Sequence, residues 1–206
     1  MSLSYLEFVK VCDNFTIAES SEPLAAFLLT KNSKTAVGLI RDSVAQALLE
    51  DNEHNISLGK PKSWEYLPSE SIPGERRGSN PAAFTFADHI SSPKERSRVL
   101  KDLCEGWRDS GRFPELIAVW RNELYPVYID PFGPHTPDNY AFSVERAAAV
   151  LFGVVTYGVH MTIYEGAPTD SDTGSKAFDQ IKIWTPKRAS TKQTSVIFIN
   201  FFQHIV

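Results

Sequence analysis

The sequence is short of several things, and each shortage removes a class of function. Cysteine occurs twice in 206 residues, at Cys12 and Cys104. Two thiols cannot build a multi-bridge scaffold or fill a four-ligand zinc site, so a reducing compartment, the cytoplasm, is expected. Cationic excess is missing: 21 Lys and Arg stand against 25 Asp and Glu, a formal charge of -4. Such a chain has no global attraction for nucleic acid or anionic membrane, and neither is expected as a partner. No run reaches the ~20 apolar residues that span a bilayer. The longest are 147–155 and 196–202, the latter broken by Asn200. Residues 1–15 lack a signal h-region and an Arg-rich transit character. Standard catalytic signatures are also missing: no G-x-S-x-G elbow, phosphate-binding Gly-rich loop, H-E-x-x-H or paired-histidine metal motif occurs.

What remains is an ordinary globular composition, 42% hydrophobic and 22% charged. Leu3, Leu6, Val9 and Cys12 recur every three residues and predict a helix over 1–15. Residues 23–29 and 36–40 read as a hairpin around a turn at Lys31-Asn32-Ser33-Lys34, followed by a helix that Asp42 could cap. From 52 to 81 the chain turns polar, with Trp64-Glu65-Tyr66-Leu67 as its strand-like island; Phe84-Thr85-Phe86 is another short strand. Arg76 and Arg77 read as a solvated loop rather than a phosphate contact. Ser92, Pro93 and Glu95 form a capping-box signature for a helix that Gly111 ends. Residues 116–120 and 124–128 are strand-like, and Pro131, Gly133, Pro134 and Pro137 mark a linker. Residues 143–151 read as a short helix, 154–164 as a strand and 180–185 as its returning partner. Helices and hairpins without strict alternation predict an α+β fold.

Few side chains suggest chemistry. His89 and His135 sit beside turns and read as solvated, while His160 lies in a predicted strand as a core or sheet-face residue. Lys187, Arg188 and Lys192, with Ser190 and Thr191 between them, follow a strand and could cradle a diphosphate. An exposed basic hairpin end explains the same residues equally well.

The series Ser143-Val144-Glu145-Arg146-Ala147-Ala148, Leu151-Phe152-Gly153 and Tyr157-Gly158-Val159-His160-Met161-Thr162 is more specific. It resembles the entry into the Nudix domain of thiamine-pyrophosphokinase-related Nudix hydrolases. Ile183-Trp184-Thr185-Pro186-Lys187-Arg188, with Ser190, Lys192 and Thr194, is similar to their second strand and following loop. Cys12-Asp13-Asn14-Phe15, Val37-Gly38-Leu39-Ile40 and Trp120-Arg121-Asn122-Glu123-Leu124-Tyr125 resemble the uncharacterised domain those proteins carry ahead of it. The resemblance implies an N-terminal mixed domain at 1–130, a linker at 131–142, an incomplete Nudix α/β/α sandwich at 143–194 and an apolar tail at 195–206. It implies hydrolysis of small-molecule diphosphates, such as damaged thiamine diphosphates or 8-oxo-dGDP, with Mg²⁺ or Mn²⁺ held by glutamates of the pattern G-x5-E-x7-R-E-U-x-E-E-x-G-U. That pattern occurs nowhere in the 206 residues, and eight of the last twelve are aliphatic or aromatic. The expectations are therefore a diphosphatase relative inactive as this chain, with no catalytic or metal residues of its own, or a non-enzymatic binding module built on the N-terminal domain.

Overall fold

A computed structural model describes residues 6–7, 22–68, 82–114, 120–157, 163–165 and 182–184. Two compact units divide the chain, Met1–Thr156 and Tyr157–Val206. The fold is α+β.

The first unit is centred on a four-stranded sheet of order β2-β1-β4-β3. β1 (Leu24–Leu28) and β2 (Gly38–Arg41) form the expected antiparallel pair. β3 (Trp64–Pro68) runs antiparallel to β4 (Ala82–Phe86), and β4 runs parallel to β1. The parallel pair is possible because α1 (Asp42–Ser57) and β3 lie between its strands in sequence, supplying the long connection that parallel neighbours need. α2 (Pro93–Ser110) follows β4, and the hairpin β5 (Leu124–Tyr128)–β6 (Tyr140–Glu145) follows α2.

The pleat puts Phe27, Phe84 and Phe86 on one sheet face, where Trp64 and Ile40 join them. α1 contributes Val44 and Leu48 to the same cluster, α2 contributes Leu100, Leu103 and Trp107, and β6 contributes Phe142 and Val144. Phe27 is at its centre, with ring centroids 5.4 Å from Phe86, 5.6 Å from Phe152 and 6.0 Å from Phe142. Aromatic pairs at these separations add to what apolar burial already contributes.

α2 is bounded as its sequence signals require. Ser92 Oγ accepts from the Glu95 N–H at 3.2 Å, and the Glu95 carboxylate accepts from the Ser92 N–H at 3.0 Å. Gly111 closes the helix at φ +72°. α1 departs from expectation at both ends. Asp42 lies inside the helix and Arg41 occupies the capping position without a side-chain cap. The helix also continues through the polar residues after 51, because Asn52 turns inward. Its Nδ2 donates to the Trp64 carbonyl at 2.9 Å, while its Oδ1 accepts from the Ser63 and Trp64 N–H groups at 3.0 Å each.

Residues 140–152 differ more. The expected helix over 143–151 is instead strand β6 followed by a 3-10 turn at Ala149–Phe152. The buried Glu145 carboxylate accepts from the Arg121 N–H at 3.0 Å and the Ala147 N–H at 3.3 Å, ending the strand in a tight turn. The expected linker over 131–142 takes in most of the connection between β5 and β6 and the first three residues of β6, inside the first unit.

The turn then crosses β2 at close range. Leu39 N–H donates to the Gly153 carbonyl at 3.3 Å. A Cβ at Gly38 would lie 2.1 Å from the Phe152 carbonyl oxygen, and one at Gly153 would lie 2.1 Å from that of Leu39. Gly153 also has φ +55°, so both glycines are required where the backbones touch.

In the second unit β7 (Ile163–Glu165) pairs antiparallel with β8 (Lys182–Trp184), which lies within the returning strand expected at 180–185. Of the strand expected over 154–164, residues 154–157 are not strand and β7 takes up only its last two residues. The expected helix over 1–15 and the strand over 116–120 fall mostly or wholly outside the described residues, as does the tail at 195–206.

Candidate functional site

Lys187, Arg188 and Lys192 lie outside the described residues, as do Arg76, Arg77, Cys12 and His160. The strand that leads toward the basic segment is described, and Ile163 and Trp184 face each other across the β7–β8 pair with both side chains largely exposed.

The other sequence candidates are placed. Cys104 is buried on α2, where burial first, then the charges of Glu145 and Glu105, push its thiol far up. A thiol kept protonated in this way is not a nucleophile at neutral pH. His89 is exposed after β4. His135 is also exposed and stacks on Tyr128, with ring centroids 4.2 Å apart and planes 7° apart.

Sequence reading missed the groove between α1 and α2, with a volume of about 810 Å³. Ala47, Asp51, His54 and Leu58 line one wall at helical spacing, and Val99, Asp102, Leu103 and Gly106 line the other. His89 and Lys60 also line the groove. Arg112, a further lining residue, reaches from beyond α2 to Glu50, with guanidinium nitrogens 2.7 and 3.2 Å from the two carboxylate oxygens. This bidentate geometry joins the two walls.

Asp51 is a groove carboxyl whose pKa burial raises. Its Oδ2 accepts from Trp64 Nε1 at 2.8 Å and from Asn55 Nδ2 at 3.2 Å. Burial nevertheless dominates and raises its pKa above the ordinary carboxylate value. The signal was present in sequence only as the spacing of Asp51, His54 and Asn55; recognising it required Trp64 to fold over Asp51. Chemically the groove offers a desolvated carboxyl, two imidazoles and cations over an apolar floor, suited to holding a polar small molecule. Among the described residues no three His, Cys, Asp or Glu side chains converge as a metal-binding group. No helix among them is long and apolar enough to cross a membrane.

Residues 71–156 match a family described as a domain of unknown function, DUF4743. Nudix hydrolase 20, chloroplastic, of Arabidopsis thaliana is 36% identical over 105 residues, which are 51% of this chain and 23% of that protein. An uncharacterized protein of Saccharomyces cerevisiae is 35% identical over 78 residues, 38% of this chain and 18% of its own length. Nudix hydrolase 24, chloroplastic, of Arabidopsis thaliana is 31% identical over 120 residues, 54% of this chain and 28% of that protein. The chain thus spans between 18% and 28% of the length of these relatives. Residues 71–156 thus resemble the domain of unknown function, and about half of the chain is similar to plant Nudix hydrolases.

Proposed function

We propose that this chain supplies the region ahead of, and leading into, a Nudix-type diphosphatase fold, and that alone it does not turn substrate over. The observation that carries the reading is the 36% identity over 105 residues to a protein named as a Nudix hydrolase. In this proposal Lys187, Arg188 and Lys192 contact the diphosphate of a small-molecule substrate, of the damaged thiamine diphosphate or 8-oxo-dGDP class. Arg forks match phosphate oxygens, and lysines add point charge. Hydrolysis in a complete enzyme needs Mg²⁺ or Mn²⁺, and neither the groove nor the sequence pattern supplies a glutamate set to hold one. The compartment proposed is the cytoplasm, on the ground that the sequence has only two cysteines.

The test uses the purified 206-residue chain with thiamine diphosphate analogues or 8-oxo-dGDP, in the presence of Mg²⁺ or Mn²⁺. No phosphate release is expected. Pyrophosphate binding is expected to weaken about tenfold or more in Arg188→Ala, the scale of one lost charge-assisted contact. Turnover abolished by chelator would refute the inactivity, and pyrophosphate binding unchanged in Arg188→Ala would return 187–192 to a solvated hairpin end.

A second reading, a non-enzymatic binding module, is favoured by the α1–α2 groove. Its lining belongs wholly to the first unit and includes the desolvated Asp51. Screening polar metabolites by thermal shift, with Asp51→Asn as comparator, separates the readings: a ligand lost in Asp51→Asn but retained in Arg188→Ala supports the module.

A further inference from the structure

The connection between β5 and β6 is held from several directions. Asn139 Nδ2 donates to the carbonyls of Asp130 and Pro134, both at 2.9 Å, and its Oδ1 accepts from the Asp130 N–H at 2.8 Å. Ile129 N–H donates to the Asn139 carbonyl at 2.8 Å, and the Asp130 carboxylate accepts from the Phe132 N–H at 3.0 Å. Pro131, Pro134 and Pro137 restrict the backbone further, and the Tyr128–His135 stack lies against one side. A Cβ at Gly133 would approach the Asp130 carboxylate to 2.8 Å.

This scaffold holds Phe132 away from the protein, with 87% of its surface exposed, more than any other large hydrophobic among the described residues. Scattered exposed apolar side chains are normal and mean nothing singly. What sets Phe132 apart is that its backbone is fixed by neighbours that make no use of the ring. A phenyl group with two rotatable angles on an ordered loop binds at small entropic cost, the property of an anchor residue at an interface.

Charge indicates what receives it. The hairpin from 124 to 145 carries Asp130 and Asp138, besides the buried Glu145, and no Lys or Arg. Neither aspartate is in a salt bridge among the described residues. An apolar tip flanked by uncompensated negative charge is repelled by anionic lipid and complements a cationic rim. We infer that the β5–β6 tip is a docking loop, inserting Phe132 into an apolar pocket with a Lys- or Arg-lined rim on a protein partner.

The test places a benzophenone amino acid at 132 in the full chain, in its cell of origin, with position 56 as control. Ile56 is also exposed, at 51%, but lies on α1. One discrete protein adduct is expected at 132 and none at 56. The protein so captured is then purified and titrated against the full chain. Binding should weaken about tenfold or more with Phe132→Ala, as for a central anchor, and should weaken and lose salt dependence with Asp138→Lys. Phe132→Ala should melt with the wild type, separating lost contact from lost fold. The inference is overturned by absence of an adduct, by an adduct whose binding ignores Phe132→Ala, or by an adduct with a second copy of this chain. Phe132-dependent binding to phosphatidylcholine or phosphatidylserine vesicles would overturn it equally.

Discussion

Replacing Asn52 with leucine should be among the most damaging polar-to-apolar changes in the first unit, although leucine has nearly the same volume. Asn52 is 7% exposed and Trp64, whose backbone it serves, is 1% exposed. The amide orientation is fixed by its partners, since two N–H donors face Oδ1 and a carbonyl faces Nδ2. Leucine removes all three bonds at once. Ser63 is half-buried and its N–H can recover a water, but the Trp64 N–H and carbonyl remain deprived. An unsatisfied buried group costs about 1–3 kcal/mol, so the two together cost about 2–6 kcal/mol. The groove beside them admits some water, which places the expected loss at about 3 kcal/mol. Urea denaturation should show this as a lower midpoint at unchanged slope, and the melting temperature should fall by about 6–12 °C. Asn55→Ala, which removes bonds only to Asp51 and Ser63 side chains, should cost less than half as much. A loss below about 0.5 kcal/mol for Asn52→Leu would show that β3 is not held through this clamp.

Gly153→Ala should cost about 3 kcal/mol or more, because it combines a left-handed residue with contact to the Leu39 backbone; Gly106→Ala, with open space beside it, should stabilise α2 by about 1 kcal/mol. Thermal melts of the two variants should move in opposite directions. Asp51 has a raised pKa in the folded state, so the native protein binds its proton more tightly than the unfolded chain. That contribution is present below the ordinary carboxylate range and is lost as pH rises through the raised value. Asp51→Asn should therefore flatten the stability profile across that window, and an unchanged profile would remove Asp51 from the account. Cys104 should resist iodoacetamide at neutral pH in the native protein and react on unfolding, as read by peptide mass mapping. Proteases should spare 131–139, whose backbone is tied by Asn139, under conditions that cut exposed loops.

Local signals were legible in the sequence wherever the chain's own neighbours decide the outcome. Ser92, Pro93, Glu95 and Gly111 announce α2 because every capping partner lies within one helical turn. Strands β1 to β4 were readable from their short apolar runs. Their parallel β1–β4 pairing was not, since it joins residues more than fifty positions apart in sequence. Residues 143–151 misled because Glu145, Arg146 and the three alanines favour helix locally, while pairing with β5 and the Glu145 turn decide otherwise. Asn52 looked like the start of a loop, being polar, because nothing in sequence reveals that it faces Trp64. The α1–α2 groove was invisible for the same reason: its walls come from two helices whose spacing is set by the sheet beneath. The basic segment Lys187, Arg188 and Lys192 was legible in sequence from its charge and spacing and lies outside the described residues.

The crossing of Gly38 and Gly153 also bears on how the protein is made. β2 emerges from the ribosome long before the turn that covers its edge. At ordinary elongation rates the interval is on the order of ten seconds. During it the Leu39 N–H has no native partner, and a nascent chain that stalls before residue 153 keeps that strand edge open. The same holds for any product ending upstream of the crossing, whatever follows residue 156 in the second unit. Protection of the β2 edge is thus timed by synthesis of the segment that hands the chain on to β7 and β8.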